Sequence, residues 1–446
     1  MKTIIIKITI AFFFFAVIST ALFVDAESEY LIKKFFYKDY LDTISEIMVE
    51  YNKNQYSDDD LNKVDEEIEK ILFDIEKNFS ISVTPMMGSY KIEESTLMKI
   101  NRLSGSGERT TVNQDFLDLI KVAIDVAEAT DGGFDPTIGP LTTLWNISEL
   151  SQYCRTDSWG DYNPEYCVVP SEEKINQARE KIDYRLIEID ETAKTVYLPE
   201  PGMKLDLGAI AKGFAADKVT EYLIDQGFEF FMIWLGGNVY NYGESKINPG
   251  KTGTLLTNPF GGKYLIKFLG NSQTIVTSGV YERYIEVGND IYHHLLNPKT
   301  GYPYENNLMS VSIVLNYREG YYASAFADAF ATGIYALGLE DGLAYAENRP
   351  DMEAVAITKD KKVYATSKLD FEPYNGLTDE FELFVGGEKV DFEPLPTDPT
   401  NPENPTDPYD PTRDLLIALI FIVVGFGATV LLVFTLKKPK NKTKEE

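Results

Sequence analysis

Lys204-Leu205-Asp206-Leu207-Gly208-Ala209-Ile210-Ala211-Lys212-Gly213 is the stretch on which the fold turns. A strand-like segment from Val196 to Leu207 delivers the chain to a helix that begins near Gly208 and ends at Gly227, a C-cap glycine. Small residues at the helix start leave backbone N–H groups uncovered, so an anion can approach them closely. Lys212, about one turn in, adds a positive charge at the same mouth. The pattern lacks the Gly-x4-Gly-Lys-Ser/Thr of a Walker loop. Close helix packing with a surface lysine fits these residues equally well.

Outward from that stretch, Leu61, Val64, Ile68, Ile71, Leu72, Ile75 and Phe79 recur at helical spacing between acids and lysines, which predicts an amphipathic core helix. A further helix is expected from Asp115 to Thr130, stopped by Asp131-Gly132-Gly133, and another from Ala323 to Leu337. Phe230 to Leu235, Met309 to Leu315, Ala354 to Thr358 and Val363 to Thr366 read as strands. Strands and helices mix without a βαβ cadence. The expected fold class is therefore α+β, one domain over residues 27–387 with an insertion at 148–170.

The ends predict export and anchoring. Met1-Lys2 and Lys7, the apolar run Ile8 to Phe23 and Val24-Asp25-Ala26 read as a signal peptide over residues 1–26. Residues 388–414 form a linker with Pro396, Pro399, Pro402, Pro405, Pro408 and Pro411 at three-residue spacing, the period of polyproline II. Leu415 to Leu436 is uncharged and long enough for a C-terminal transmembrane helix, and the lysine-rich tail 437–446 is expected to be cytoplasmic. The expected location is thus the cell membrane, single-pass, with the domain on the extracellular face. A formal net charge of -28 excludes nucleic acid, which demands a basic footprint. Cys154 and Cys167, the two cysteines of the chain, are expected to form one disulfide closing a surface loop.

Three further groups carry chemistry. Asp328 and Thr332 stand four apart on a small-residue helix and face the same way; two hard oxygen donors suit Mg²⁺, although a first-turn Asp and a Thr bonded to a backbone carbonyl would look the same. His293 and His294 are the two histidines of the chain; on a strand one would face a site and the other away. Gly132-Gly133-Phe134-Asp135-Pro136-Thr137 and Leu235-Gly236-Gly237-Asn238 allow close backbone approach to a flat or phosphorylated ligand, whereas Ser104-Gly105-Ser106-Gly107 reads as a plain loop.

Taken in order, these segments resemble the FAD:protein FMN transferase (ApbE) family from about Tyr40 to Ser367. The resemblance runs through Ile100-Asn101-Arg102, Gly133 to Thr137 with Pro140-Leu141 and Trp145, Asp206 to Gly213, Thr277-Ser278-Gly279 with Tyr281-Glu282-Arg283, His293-His294-x-x-Asn297-Pro298-Lys299-Thr300-Gly301-Tyr302-Pro303, and Ala327-Asp328-Ala329 with Ala331-Thr332. It implies Mg²⁺-dependent transfer of FMN from FAD to a Ser or Thr hydroxyl of a separate extracytosolic acceptor protein, a component of electron transfer there, with release of AMP. It further implies Asp328, Thr332 and the Ala209 carbonyl as Mg²⁺ ligands. Lys212, Asp206, Gly133, Phe134 and Asp135 would contact FAD. His294 would be general base or substrate contact ahead of His293, and Lys212 would share the catalytic work. Departures stand at Val280, at Leu41-Asp42-Thr43 and after Asn248-Pro249, where the family tryptophan is missing. FAD hydrolysis to FMN and AMP, and flavin binding without reaction, are the rival readings.

Overall fold

The computed structural model describes residues 29–82, 92–156, 162–250 and 253–392. Its backbone is a ten-stranded sheet built from β1 Tyr30–Tyr40, β2 Thr43–Asn52, β3 Phe230–Leu235, β4 Asn238–Gly243, β5 Gln273–Gly279, β6 Leu308–Asn316, β7 Met352–Thr358, β8 Lys362–Ala365, β9 Glu382–Val385 and β10 Glu388–Val390. These strands lie side by side in chain order, all neighbours antiparallel except the parallel pair β8 and β9. Antiparallel neighbours with intervening helices make the sheet mixed rather than doubly wound, in agreement with the sequence expectation.

Alternation along the strands divides the molecule into layers. Val311, Ile313 and Leu315 of β6 join Met352, Ala354 and Ala356 of β7 in the main core, beneath the helices. Val314, Val355 and Ile357 point the other way and pack on a small sheet of Thr254–Thr257, Tyr264–Phe268 and Phe371–Pro373.

Four helices cover the first face: α1 Asp58–Phe79, α2 Gln114–Ala129, α3 Ala211–Asp225 and α4 Ala323–Leu337. The 3.6-residue period of α1 buries Leu61, Val64, Ile68, Leu72, Ile75 and Phe79, and a capping box between Ser57 and Asp60 starts it. Asn113 caps α2 by accepting from the Phe116 N–H. The alanine-rich α4 is buried along most of its length and packs against α2, α3, β5 and β6. Gly338, at φ +84°, ends it, as the sequence boundary at Leu337 anticipated.

Two local expectations are corrected. The segment from Val196 to Leu207 is not one strand: Thr195–Tyr197 is a short strand and Lys204 makes an isolated bridge to Ile138, because between them Pro201 lacks an N–H and Gly202 turns the chain at φ +88°. The helix after it starts at Ala211 rather than Gly208, since Gly208 is held in a turn by the Asp206 side chain.

The expected single-pass membrane placement is withdrawn as well. Among the described residues no helix is long and apolar enough to cross a membrane. The longest, α1, is interleaved with acids and lysines that a hydrocarbon core would not accept. The leader 1–26, the 415–436 run that was to supply the span and the 437–446 tail lie outside the described residues, as does the proline-spaced part of the linker.

Candidate active site

The motifs singled out in the sequence converge on one cavity of about 360 Å³, lined among others by Phe134, Asp206, Lys212, Ser278, His294 and Asp328. Gly133, Asp135, Ala209 and Thr332 also line it, so every residue expected at the site stands in its wall. His293 does not.

The floor is the turn before α3. The Asp206 N–H donates to the Pro136 carbonyl at 2.9 Å, tying this turn to the 133–137 loop, and Asp206 Oδ1 accepts from the Gly208 N–H at 2.9 Å. Lys212 Nζ donates to the Gly208 carbonyl at 3.2 Å, which bends the ammonium back over the turn. An anion in the cavity would therefore meet a lysine already folded over the opening of the helix. In the neighbouring loop, Asp135 Oδ1 accepts from the Thr137 N–H at 2.8 Å and the Thr137 hydroxyl at 2.6 Å, while Oδ2 accepts from the Tyr184 N–H at 3.3 Å. Burial pushes its carboxyl up and these bonds pull it down. Asp135 thus braces its own loop, and the loop, through Gly133 and Phe134, lines the cavity.

The roof is α4. Asp328 is 4% exposed, and its Oδ2 accepts from the Gly213 N–H at 2.9 Å. One turn on, Thr332 Oγ1 stands 3.3 Å from Ser278 Oγ at the end of β5. No group of three or more His, Cys, Asp or Glu that would hold a metal occurs among the described residues. Asp328 and Thr332 bring one carboxylate and one hydroxyl to the cavity, which Ala209 also lines; hard oxygen donors as few as these suit an ion such as Mg²⁺ that keeps water and substrate oxygens in its shell.

The far wall carries the histidine. His294 Nδ1 lies 3.0 Å from the Arg283 carbonyl oxygen. A carbonyl can only accept, so Nδ1 bears the proton and Nε2 keeps its lone pair. Burial, with Arg283 and Lys212 nearby, holds the imidazole neutral, at about 3. His293 turns away, with Nε2 3.0 Å from the Tyr304 carbonyl and its ring edge-on to Tyr335. Burial lowers it to about 4.

Two charged residues of this wall were quoted in the sequence without being given a part. Glu282 lines the cavity and stays exposed to solvent there; the protein crowded around the cavity raises its carboxyl, with Lys212 and Arg283 opposing and Asp328 adding to the rise. Arg283 also lines the cavity and donates to Ser148 Oγ at 3.3 Å. Their signal was two adjacent opposite charges, Glu282 and Arg283, separated by two residues from the Thr277-Ser278-Gly279 end of β5.

The 148–170 insertion buttresses the same wall. Cys154 and Cys167 are joined, as expected, and close a loop most of whose described residues are exposed, while the two cysteines themselves are buried in a small core with Trp145, Ile147 and Ile285. From that core the Cys154 carbonyl accepts from the Glu286 N–H at 2.7 Å, and Arg155 donates to the Glu282 carbonyl at 3.1 Å.

Residues 41–356 match the family model described as the ApbE family. An FAD:protein FMN transferase of Klebsiella pneumoniae is 36% identical over 284 residues, 63% of this chain and 81% of that protein. The protein of the same description from Treponema pallidum is 30% identical over 298 residues, 64% of this chain and 76% of that one. Among solved structures, the ApbE protein of Thermotoga maritima superposes with a TM-score of 0.60 at 27% identity, covering 75% of this chain and 96% of the other. The flavin transferase ApbE of Vibrio cholerae shares the fold, with a TM-score of 0.56 at 23% identity over 78% of this chain and 96% of its own.

Proposed function

We propose, from the premise that this chain belongs to the ApbE family, that it is an FAD:protein FMN transferase which moves FMN from FAD to a Ser or Thr hydroxyl of another protein. The observation that carries this reading is the meeting of Lys212, Asp328, Thr332 and His294 around one cavity. Attack at phosphorus needs charge neutralised on the pyrophosphate and the hydroxyl held in line. The residues of this cavity are suited to both tasks.

The acceptor oxygen forms a bond to the FMN phosphorus while the bond from that phosphorus to the bridging oxygen breaks, and AMP departs with the bridging oxygen. His294 Nε2, unprotonated because Nδ1 is engaged by the Arg283 carbonyl, takes the hydroxyl proton as the P–O bond forms. Lys212, folded over the start of α3, holds the phosphate oxygens. Asp328, Thr332 and the Ala209 carbonyl would hold Mg²⁺, which when bound supplies positive charge to those same oxygens. The Cys154–Cys167 disulfide favours an acceptor met in an oxidising, extracytosolic compartment.

The test is incubation with FAD, Mg²⁺ and a Ser/Thr-bearing acceptor protein, followed by denaturation. Flavin that stays on the acceptor supports transfer; free FMN alone means hydrolysis, and unchanged FAD means binding alone. Asp328→Asn should lower transfer at modest Mg²⁺ by orders of magnitude, and added Mg²⁺ should restore part of it. A variant that transfers normally at low Mg²⁺ would remove the metal assignment.

A further inference from the structure

We propose that Asp217 is the positioning residue of this site: from within α3 it holds the first turn of α4 and so sets where Asp328 and Thr332 stand. The inference rests on the reading that those two residues hold Mg²⁺.

Neither helix caps itself. No side chain of its own N-cap position serves α3, whose N-cap is Ile210, or α4, whose N-cap is Tyr322. Each instead borrows a carboxylate from the other. Asp328 of α4 accepts from the Gly213 N–H in the first turn of α3 at 2.9 Å. In return Asp217 of α3 accepts from the Ser324 N–H at 2.9 Å and the Ala325 N–H at 2.8 Å, in the first turn of α4. The exchange has matched spacing, because Gly213 precedes Asp217 by four residues and Ser324 precedes Asp328 by four, one helical turn in each case. A shift of α4 along its axis would break the Asp217 bonds and displace Asp328 together.

The residue type is costly for a mere plug. Asp217 is 6% exposed, and burial pushes its carboxyl up against the pull of the Ser324 and Ala325 N–H groups, one on each oxygen. A buried carboxylate is retained where both oxygens are needed as acceptors at a helix start, whose dipole favours negative charge. Asparagine has one acceptor oxygen and would turn an NH₂ against the second donor.

The test uses the full chain. Asp217→Asn and Asp328→Asn are compared with the parent by Mn²⁺ titration followed by electron paramagnetic resonance, by the melting-temperature rise on adding Mg²⁺, and by the Mg²⁺ concentration for half-maximal transfer. For Asp217→Asn we expect Mn²⁺ affinity to weaken at least fivefold and the Mg²⁺ requirement to rise in parallel, with a smaller Mg²⁺-induced rise in melting temperature. A melting temperature lowered without any change in Mn²⁺ affinity would make Asp217 a structural cap only and overturn the inference. If Asp328→Asn also leaves Mn²⁺ affinity unchanged, the metal reading itself has failed, whereas weakening in Asp328→Asn alone rejects only the role of Asp217. Should Asp217→Asn not fold, Ser324→Pro decides: it removes one of the two donors within a first helical turn, where proline is tolerated. A weakening of about twofold would support the role, and unaltered Mn²⁺ affinity would reject it.

Discussion

Gly213 sits so close to Ser324 that a Cβ built on it would lie 2.1 Å from the Ser324 carbonyl oxygen. This approach is what allows α3 and α4 to exchange caps, and it explains why glycine occupies the first turn of a helix it would otherwise weaken. Gly213→Ala should destabilise the chain by about 3 kcal/mol, the range of an overpacked core, and force the helices apart. Urea denaturation measures it. A midpoint equal to that of the parent would mean that the helices separate without cost.

His294 is fixed by Arg283 through one ring nitrogen, so its other nitrogen is the group to test. His294→Ala should lower turnover by about a hundredfold or more, the usual worth of general-base catalysis, with FAD affinity changed only a few fold. Single-turnover rates and an FAD titration separate the two. A loss confined to affinity would make His294 a substrate contact.

Both histidines are held below their ordinary value, His293 at about 4 and His294 at about 3, because burial disfavours the cation. In the unfolded chain they titrate near ~6.5. The unfolded state therefore binds more protons at acid pH. The stability they contribute is fully present above about pH 6.5 and is lost as pH falls through 4 for His293 and 3 for His294, at about 1.4 kcal/mol per pH unit for each group between those limits. His293→Phe removes a titrating group that lies outside the cavity wall, and the unfolding free energy measured from pH 7 to pH 4.5 should then fall less steeply. An unaltered slope would refute the account.

The disulfide core and the His294 wall are joined through Cys154 to Glu286 and Arg155 to Glu282. Replacing both cysteines by serine should cost about 3 kcal/mol, as expected for releasing a loop of this length, and should raise the FAD concentration needed for half-maximal rate. Ellman titration of the unreduced parent should find no thiol. Unchanged kinetics in the double variant would show that the wall stands without its buttress.

Local pattern fixed much of this protein in advance. The apolar period from Leu61 to Phe79 gave α1, the small residues bounded by Gly338 gave α4, and the spacing of Asp328 and Thr332 put both side chains on one face, since a helix repeats every 3.6 residues whatever surrounds it. The motif order was enough to indicate the family and a set of residues that line one cavity. What tertiary structure decided lies in contacts between residues far apart in the chain. The resemblance had placed His294 ahead of His293, and folding showed that His294 and not His293 lines the cavity, with the strand Asp290–His293 ending between them. Only folding could show that Asp135 uses its carboxylate on its own loop, that Glu282 and Arg283 join the wall, and that Asp217 reaches across 107 residues to the Ser324 N–H. A sequence states which groups a chain carries, but a hydrogen bond is made wherever the packed backbone happens to leave a donor without a partner, and that is settled by the whole fold.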